Sequence, residues 1–130
     1  MNDIDRAATI TIGGMEYQLL LTTRATKEIA KKYGGLSDLG DKLLKSENFE
    51  LALDEIVWLI TLLANQTVHI HNFQNPDNKR DLLTEEMVEI MTTPADLGEY
   101  KDAVMAAMQK GIKRNVVSES GGETKNPPGA

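Results

Sequence analysis

His69 and His71 are the residues of this 130-residue chain best suited by type to metal binding or acid–base work. Two positions apart on a helix they point about 200° apart, so they cannot hold one metal from one face. No third ligand stands at a zinc-like spacing, and the plain reading is two polar residues closing a buried helix. Glu85, Glu86 and Glu89 form an acidic run. Two of them fall in the first turn of a predicted helix, where carboxylates favour the dipole, and that placement accounts for them without catalysis. Asp38 and Asp41 open another predicted helix and read the same way. Gly13-Gly14 has no lysine at P-loop spacing, and Gly34-Gly35 reads as a helix stop. Ser37, Ser46, Ser118 and Ser120 lie in no nucleophile motif. Cysteine is absent. That excludes disulfides, thiolate zinc sites and a cysteine nucleophile, and fits a reducing compartment. The expectation is a non-enzyme with no catalytic, cofactor or metal site.

Methionine is the departure from this plainness. Apart from Met1 there are Met15, Met87, Met91, Met105 and Met108, four of them on the last two predicted helices. Met87 and Met91 share a helix face, and Met105 and Met108 are neighbours across a turn. The thioether is adaptable, so such residues fill irregular cores or build soft surfaces that accept varied apolar segments. On the second reading, Met87, Met91, Met105 and Met108 are the candidate partner-binding residues.

Positioning such residues requires a folded core, and the composition supports one. Hydrophobic residues make up 41% and charged residues 26% of the chain, too apolar for wholesale disorder. Twenty acidic against 14 basic residues give a net charge of -6, which argues against a dedicated nucleic-acid binder. The opening Met1-Asn2-Asp3-Ile4-Asp5 is acidic where a secretory leader would be basic. The most apolar stretch, Leu51 to Ala64, is too short for a membrane span and holds Asp54 and Glu55. These features predict a soluble intracellular protein without membrane contact.

Residues 8–21 predict a β-hairpin about Gly13-Gly14. A two-residue loop pairs Ile12 with Met15, Ile10 with Tyr17 and Ala8 with Leu19. Those six side chains share one face, and Thr9, Thr11, Glu16 and Gln18 the other. An isolated hairpin is marginal in water, so the apolar face must lie on helices. Thr22 or Thr23 caps a helix over about 24–33, with Ala25, Ile29 and Tyr33 inward. Ser37 caps a short helix over about 38–45, with Leu39, Leu43 and Leu44 inward. The main helix, roughly 49–71, carries two apolar stripes. One is Leu53, Ile56, Val57, Ile60, Leu63 and Ala64; the other is Leu51, Trp58, Leu59 and Leu62. A helix apolar around most of its circumference sits centrally, with Trp58 as its expected core residue. Residues 72–83 read as a loop around Asn75-Pro76-Asp77-Asn78. Thr84 caps a helix over about 85–91, stapled by Leu83 and Val88. Thr93-Pro94-Ala95-Asp96 opens the last helix, with Leu97, Tyr100, Val104, Ala107 and Met108 inward, Gly98 weakening its first turn, and Lys110, Lys113 and Arg114 closing it. The prediction is an α+β, mainly α-helical fold: an N-terminal β-hairpin packed on a small helical bundle over 1–117. A flexible, disordered tail is expected over 118–130.

Several strings resemble the tail assembly chaperones of long-tailed phages and prophages of Gram-positive bacteria. They are Ile10-Thr11-Ile12-Gly13-Gly14-Met15-Glu16-Tyr17, Leu21-Thr22-Thr23-Arg24-Ala25, Leu53-Asp54-Glu55-Ile56-Val57-Trp58-Leu59, Met91-Thr92-Thr93-Pro94-Ala95-Asp96-Leu97 and Lys113-Arg114-Asn115-Val116. Their order spans nearly the whole chain, although none is a chemical motif. The resemblance implies a non-enzymatic protein of the bacterial host cytoplasm that binds the largely helical tape measure protein, keeps it soluble, helps recruit tail tube protein, and leaves before the virion is complete. It also implies a longer frameshifted form that recruits the tube protein. Lys125-Asn126 can be encoded AAA AAC, and one Thr124 codon supplies a preceding A, making these two residues the candidate frameshift site. The partners implied are the tape measure protein and, through the extended form, the tube protein. The short hairpin edges leave two arrangements open: a single hairpin, or one paired with another chain. The alternative function is a small structural head–tail or tail protein of the virion.

Overall fold

The computed structural model describes residues 7–35 and 49–120, with side chains over 8–35 and 53–112. In chain order the elements are β1 (Ala7–Ile12), β2 (Met15–Leu20), α1 (Thr23–Tyr33), α2 (Phe49–Gln74), α3 (Glu85–Met91) and α4 (Pro94–Ser120). This is the expected α+β fold, mainly helical, with one antiparallel hairpin. The expected helix over 38–45, with Ser37, Leu39, Leu43 and Leu44, lies outside the described residues, as do residues 121–130.

Local signals set most boundaries. Gly13 and Gly14 adopt φ of 58° and 83°, which only a residue without a Cβ takes cheaply twice in a row. The hairpin pairs Ala8 with Leu19, Ile10 with Tyr17 and Ile12 with Met15, the register its alternation requires. Thr22 caps α1 by accepting the Ala25 amide at 3.0 Å, and Gly34 closes it with φ of 95°. The Thr84 hydroxyl accepts the Met87 amide at 3.1 Å to open α3. Beside that cap Leu83 and Val88 are both buried, as a hydrophobic staple should be. At α4 the Thr93 hydroxyl accepts the Asp96 amide at 3.2 Å while the Asp96 carboxylate accepts the Thr93 amide at 3.0 Å, a reciprocal capping box.

α2 is the central element. It packs against β2, α1, α3 and α4, while α4 packs against both strands. The hairpin therefore lies across α2 and α4. The core between them holds Ile10, Ile12 and Leu19 from the strands, Ile56, Val57, Leu59, Ile60, Leu63 and Ala64 from α2, and Leu97, Val104, Ala107 and Met108 from α4. α4 comes close enough for Leu21 to lie over Gly111, where an added Cβ would stand 2.8 Å from the Leu21 Cβ.

Four expectations change. Trp58 is half-buried at the edge of the core, with its ring 5.9 Å from that of Tyr33 in an edge-to-face arrangement and the Lys32 ammonium 4.8 Å above it. Aliphatic side chains fill the centre, and an indole with one polar N–H is better served at a wet margin. Met15 is 54% exposed at the hairpin tip, although it shares the inner face with Ile10 and Ile12. α2 runs one turn beyond residue 71 to Gln74, because the first residue conformationally hindered by a following proline is Asn75. α4 runs to Ser120, past the expected limit near Val117. Ser118, Glu119 and Ser120 contain no glycine or proline, and extending a formed helix costs far less than nucleating one. Lys110, Lys113 and Arg114 thus stand inside α4 rather than in its final turn.

Candidate partner-binding face

A ten-residue connection from Asn75 to Thr84 carries the chain from the end of α2 to α3. Two asparagines of α2 hold its second half. The Asn65 side chain donates to the Leu83 carbonyl at 2.8 Å and accepts the Leu83 amide at 2.8 Å. The Asn72 side chain does the same with Arg80, at 3.0 and 2.7 Å. Each carboxamide thus pairs with backbone as a neighbouring strand would. The two spacings match, because seven helical residues rise about 10.5 Å and three extended residues span about 10 Å. The connection therefore runs back along α2 and delivers Leu83 to the core and Leu82 to the surface.

His71 secures the start of this connection. Its Nε2 lies 2.9 Å from the Asn78 carbonyl, which can only accept, so Nε2 carries the proton. The Asn75 side chain donates to the His71 carbonyl at 2.9 Å. His69 faces another hollow, and no group of three metal-ligating side chains occurs among the described residues. Glu85, Glu86 and Glu89 are exposed on α3. Asp38, Asp41, Ser37 and Ser46 lie outside the described residues.

The four candidate methionines separate. Met108 is 3% exposed and belongs to the core, because Val104, Ala107, Met108 and Gly111 form the buried face of α4. Its side chain is therefore not part of the exposed apolar surface. Met105 is half-buried against that core. Met87 and Met91 are exposed on α3 beside the hairpin tip. The Met91 side chain lies over Gly13, close enough that its Cε would meet an added Cβ at 2.1 Å. Met87 joins Met15, Tyr17 and Leu82 around a hollow of about 450 Å³. Ile90, 73% exposed, extends the apolar surface along α3.

The face is therefore Met15, Leu82, Met87, Ile90 and Met91, of which residue type and spacing pointed to two. A signal for Ile90 existed: α3 has four apolar residues in two turns, and so short a helix cannot bury them all on one side. Met15 and Leu82 depend on how three separate segments meet. The candidate frameshift residues Lys125 and Asn126 lie outside the described residues. Among the described residues no helix is long and apolar enough to cross a membrane. No protein-family model matches the chain, and neither the curated proteins nor the solved structures give a match.

Proposed function

We propose that this chain is a non-enzymatic tail assembly chaperone of a long-tailed phage or prophage, which binds the tape measure protein, keeps it soluble and helps bring tail tube subunits to it. The observation that carries the interaction reading is the exposed apolar face of Met15, Leu82, Met87, Ile90 and Met91. Clustered surface apolar residues mark interaction sites, and three of these five are methionines that repack around different partners. The phage assignment rests on the ordered resemblance of strings from Ile10 to Val116. A tape measure protein presents long amphipathic helices, which aggregate when their apolar stripes are bare. A short helix and a hairpin tip can cover such a stripe by side-to-groove packing. The net charge of -6 favours solubility of the complex. Many weak copies along one filament gain from avidity, yet each can leave when tube subunits compete.

The test is co-expression with the tape measure protein of the same genome, followed by pull-down and titration of the purified pair. The Met87→Ser/Met91→Ser variant should retain the fold and weaken binding about tenfold or more, because two half-exposed side chains no longer bring apolar area to the interface. Unchanged binding would remove the face from the reading. Intact-mass analysis of the product from the gene with its natural downstream DNA should also show a minor, longer species with a junction near Lys125-Asn126. Recovery of the chain from purified particles would favour a structural virion protein instead.

A further inference from the structure

A second groove, of about 710 Å³, opens between the start of α1, the last turns of α2 and the following loop. Its lining includes Arg24 from α1, His69, Ile70 and Phe73 from α2, and Lys79 from the loop. His69, Ile70 and Phe73 lie on one helix face by their three- and four-residue spacing. None of the lining residues is acidic, in a chain with 20 carboxylate side chains against 14 cationic ones. Among the described residues neither Arg24 nor Lys79 makes an ion pair and the His69 ring has no hydrogen-bond partner, whereas Lys31 pairs with Glu28 and Lys32 lies over Trp58. Phe73 is 90% exposed beside these groups.

We infer that this groove binds an acidic segment of another protein, with carboxylates on Arg24 and Lys79 and an apolar side chain on Phe73 and Ile70. Unpaired cations around an exposed ring match a peptide that alternates carboxylates with aromatic or aliphatic residues, since each half of such a ligand meets its complement. A nucleic acid is a poorer fit. A polyphosphate strand is held by a series of cations, and two permanent positive charges on a chain of net charge -6 do not supply one. A small cofactor is also a poorer fit, because such ligands need enclosure on most of their surface and this groove is largely open to solvent.

The experiment is a titration of the full isotope-labelled chain, followed by amide NMR, with a short peptide of phenylalanines set between aspartate pairs. Saturable shifts should concentrate at Arg24, His69, Phe73 and Lys79. The Arg24→Glu/Lys79→Glu variant should keep the remaining spectrum and bind at least about tenfold more weakly, as expected for reversing two charge contacts. A peptide with lysine in place of aspartate should not bind at the groove. Shifts centred elsewhere, or equal binding by the charge-reversed variant, would overturn the inference. So would the absence of saturation at about 5 mM peptide. Tighter binding of a short oligothymidylate than of the acidic peptide would overturn it in favour of nucleic acid.

Discussion

Replacing Asn65 with alanine should destabilise this protein far more than the same change at Asn72, although the two side chains make the same pair of bonds. Both hydrogen bonds of Asn65 measure 2.8 Å, and they serve the backbone of Leu83, whose side chain is buried against the core. Deleting the carboxamide removes two bonds and leaves a partly buried N–H and carbonyl without their protein partner. At about 1 kcal/mol net per bond plus the penalty for unpaired groups, the cost is about 2–4 kcal/mol. Asn72 bonds to Arg80 at an exposed site. Water takes the place of the side chain there, and the cost falls to about 0.5–1 kcal/mol. Asn65→Asp keeps the acceptor for the Leu83 amide but sets a carboxylate against the Leu83 carbonyl, so it should not restore stability. Urea unfolding followed by the single tryptophan, Trp58, measures the difference. Hydrogen exchange at the Leu83 amide tests the mechanism, since that amide should lose protection in Asn65→Ala and keep it in Asn72→Ala. Equal stability losses within about 0.5 kcal/mol, or a Leu83 amide still protected without Asn65, would show that Asn65 does not hold the returning connection.

Two glycines of α4 should respond to alanine with opposite sign. At Gly98 an added Cβ meets nothing within 4 Å, so Gly98→Ala should stabilise by about 0.5–1 kcal/mol through helix propensity. At Gly111 the same methyl stands 2.8 Å from the Leu21 Cβ, which cannot rotate away, so Gly111→Ala should lose about 1–3 kcal/mol in thermal or urea unfolding. The Tyr100 hydroxyl donates to the Thr11 carbonyl, tying α4 to β1. Partial burial, then the nearby carboxylates of Asp96 and Glu99, raise its pKa above the ordinary 10.0. A pKa raised on folding means that this contribution to stability is intact below pH 10.0 and is lost as pH climbs through the folded value. Absorbance titration should show a late-ionising phenol that Tyr100→Phe removes, and the variant should lose about 0.5–1.5 kcal/mol at neutral pH.

Local structure was legible from residue order alone. The hairpin register follows from two glycines and an alternation that only one pairing satisfies. The Thr84 and Thr93 caps, a cap at Thr22 or Thr23, the Gly34 stop and the Leu83–Val88 staple each involve residues within a few positions of one another, so their geometry is written in the spacing. The circumference of α2 already placed it at the centre. Tertiary structure decided which apolar residues stay in water. Met108 and Met87 have the same side chain and similar helical surroundings. One is buried because α4 turns that face to the core, and the other is exposed because α3 has room for one buried residue, Val88. Trp58 sits at the core margin because aliphatic residues from three elements fill the middle. The Asn65 and Asn72 bonds to the returning connection, and the meeting of Arg24 with Lys79 around one groove, join residues up to 55 positions apart along the chain. Periodicity records which residues share a face of one element. Which faces meet is fixed by the packing of all the elements together, and that carries no short-range signature.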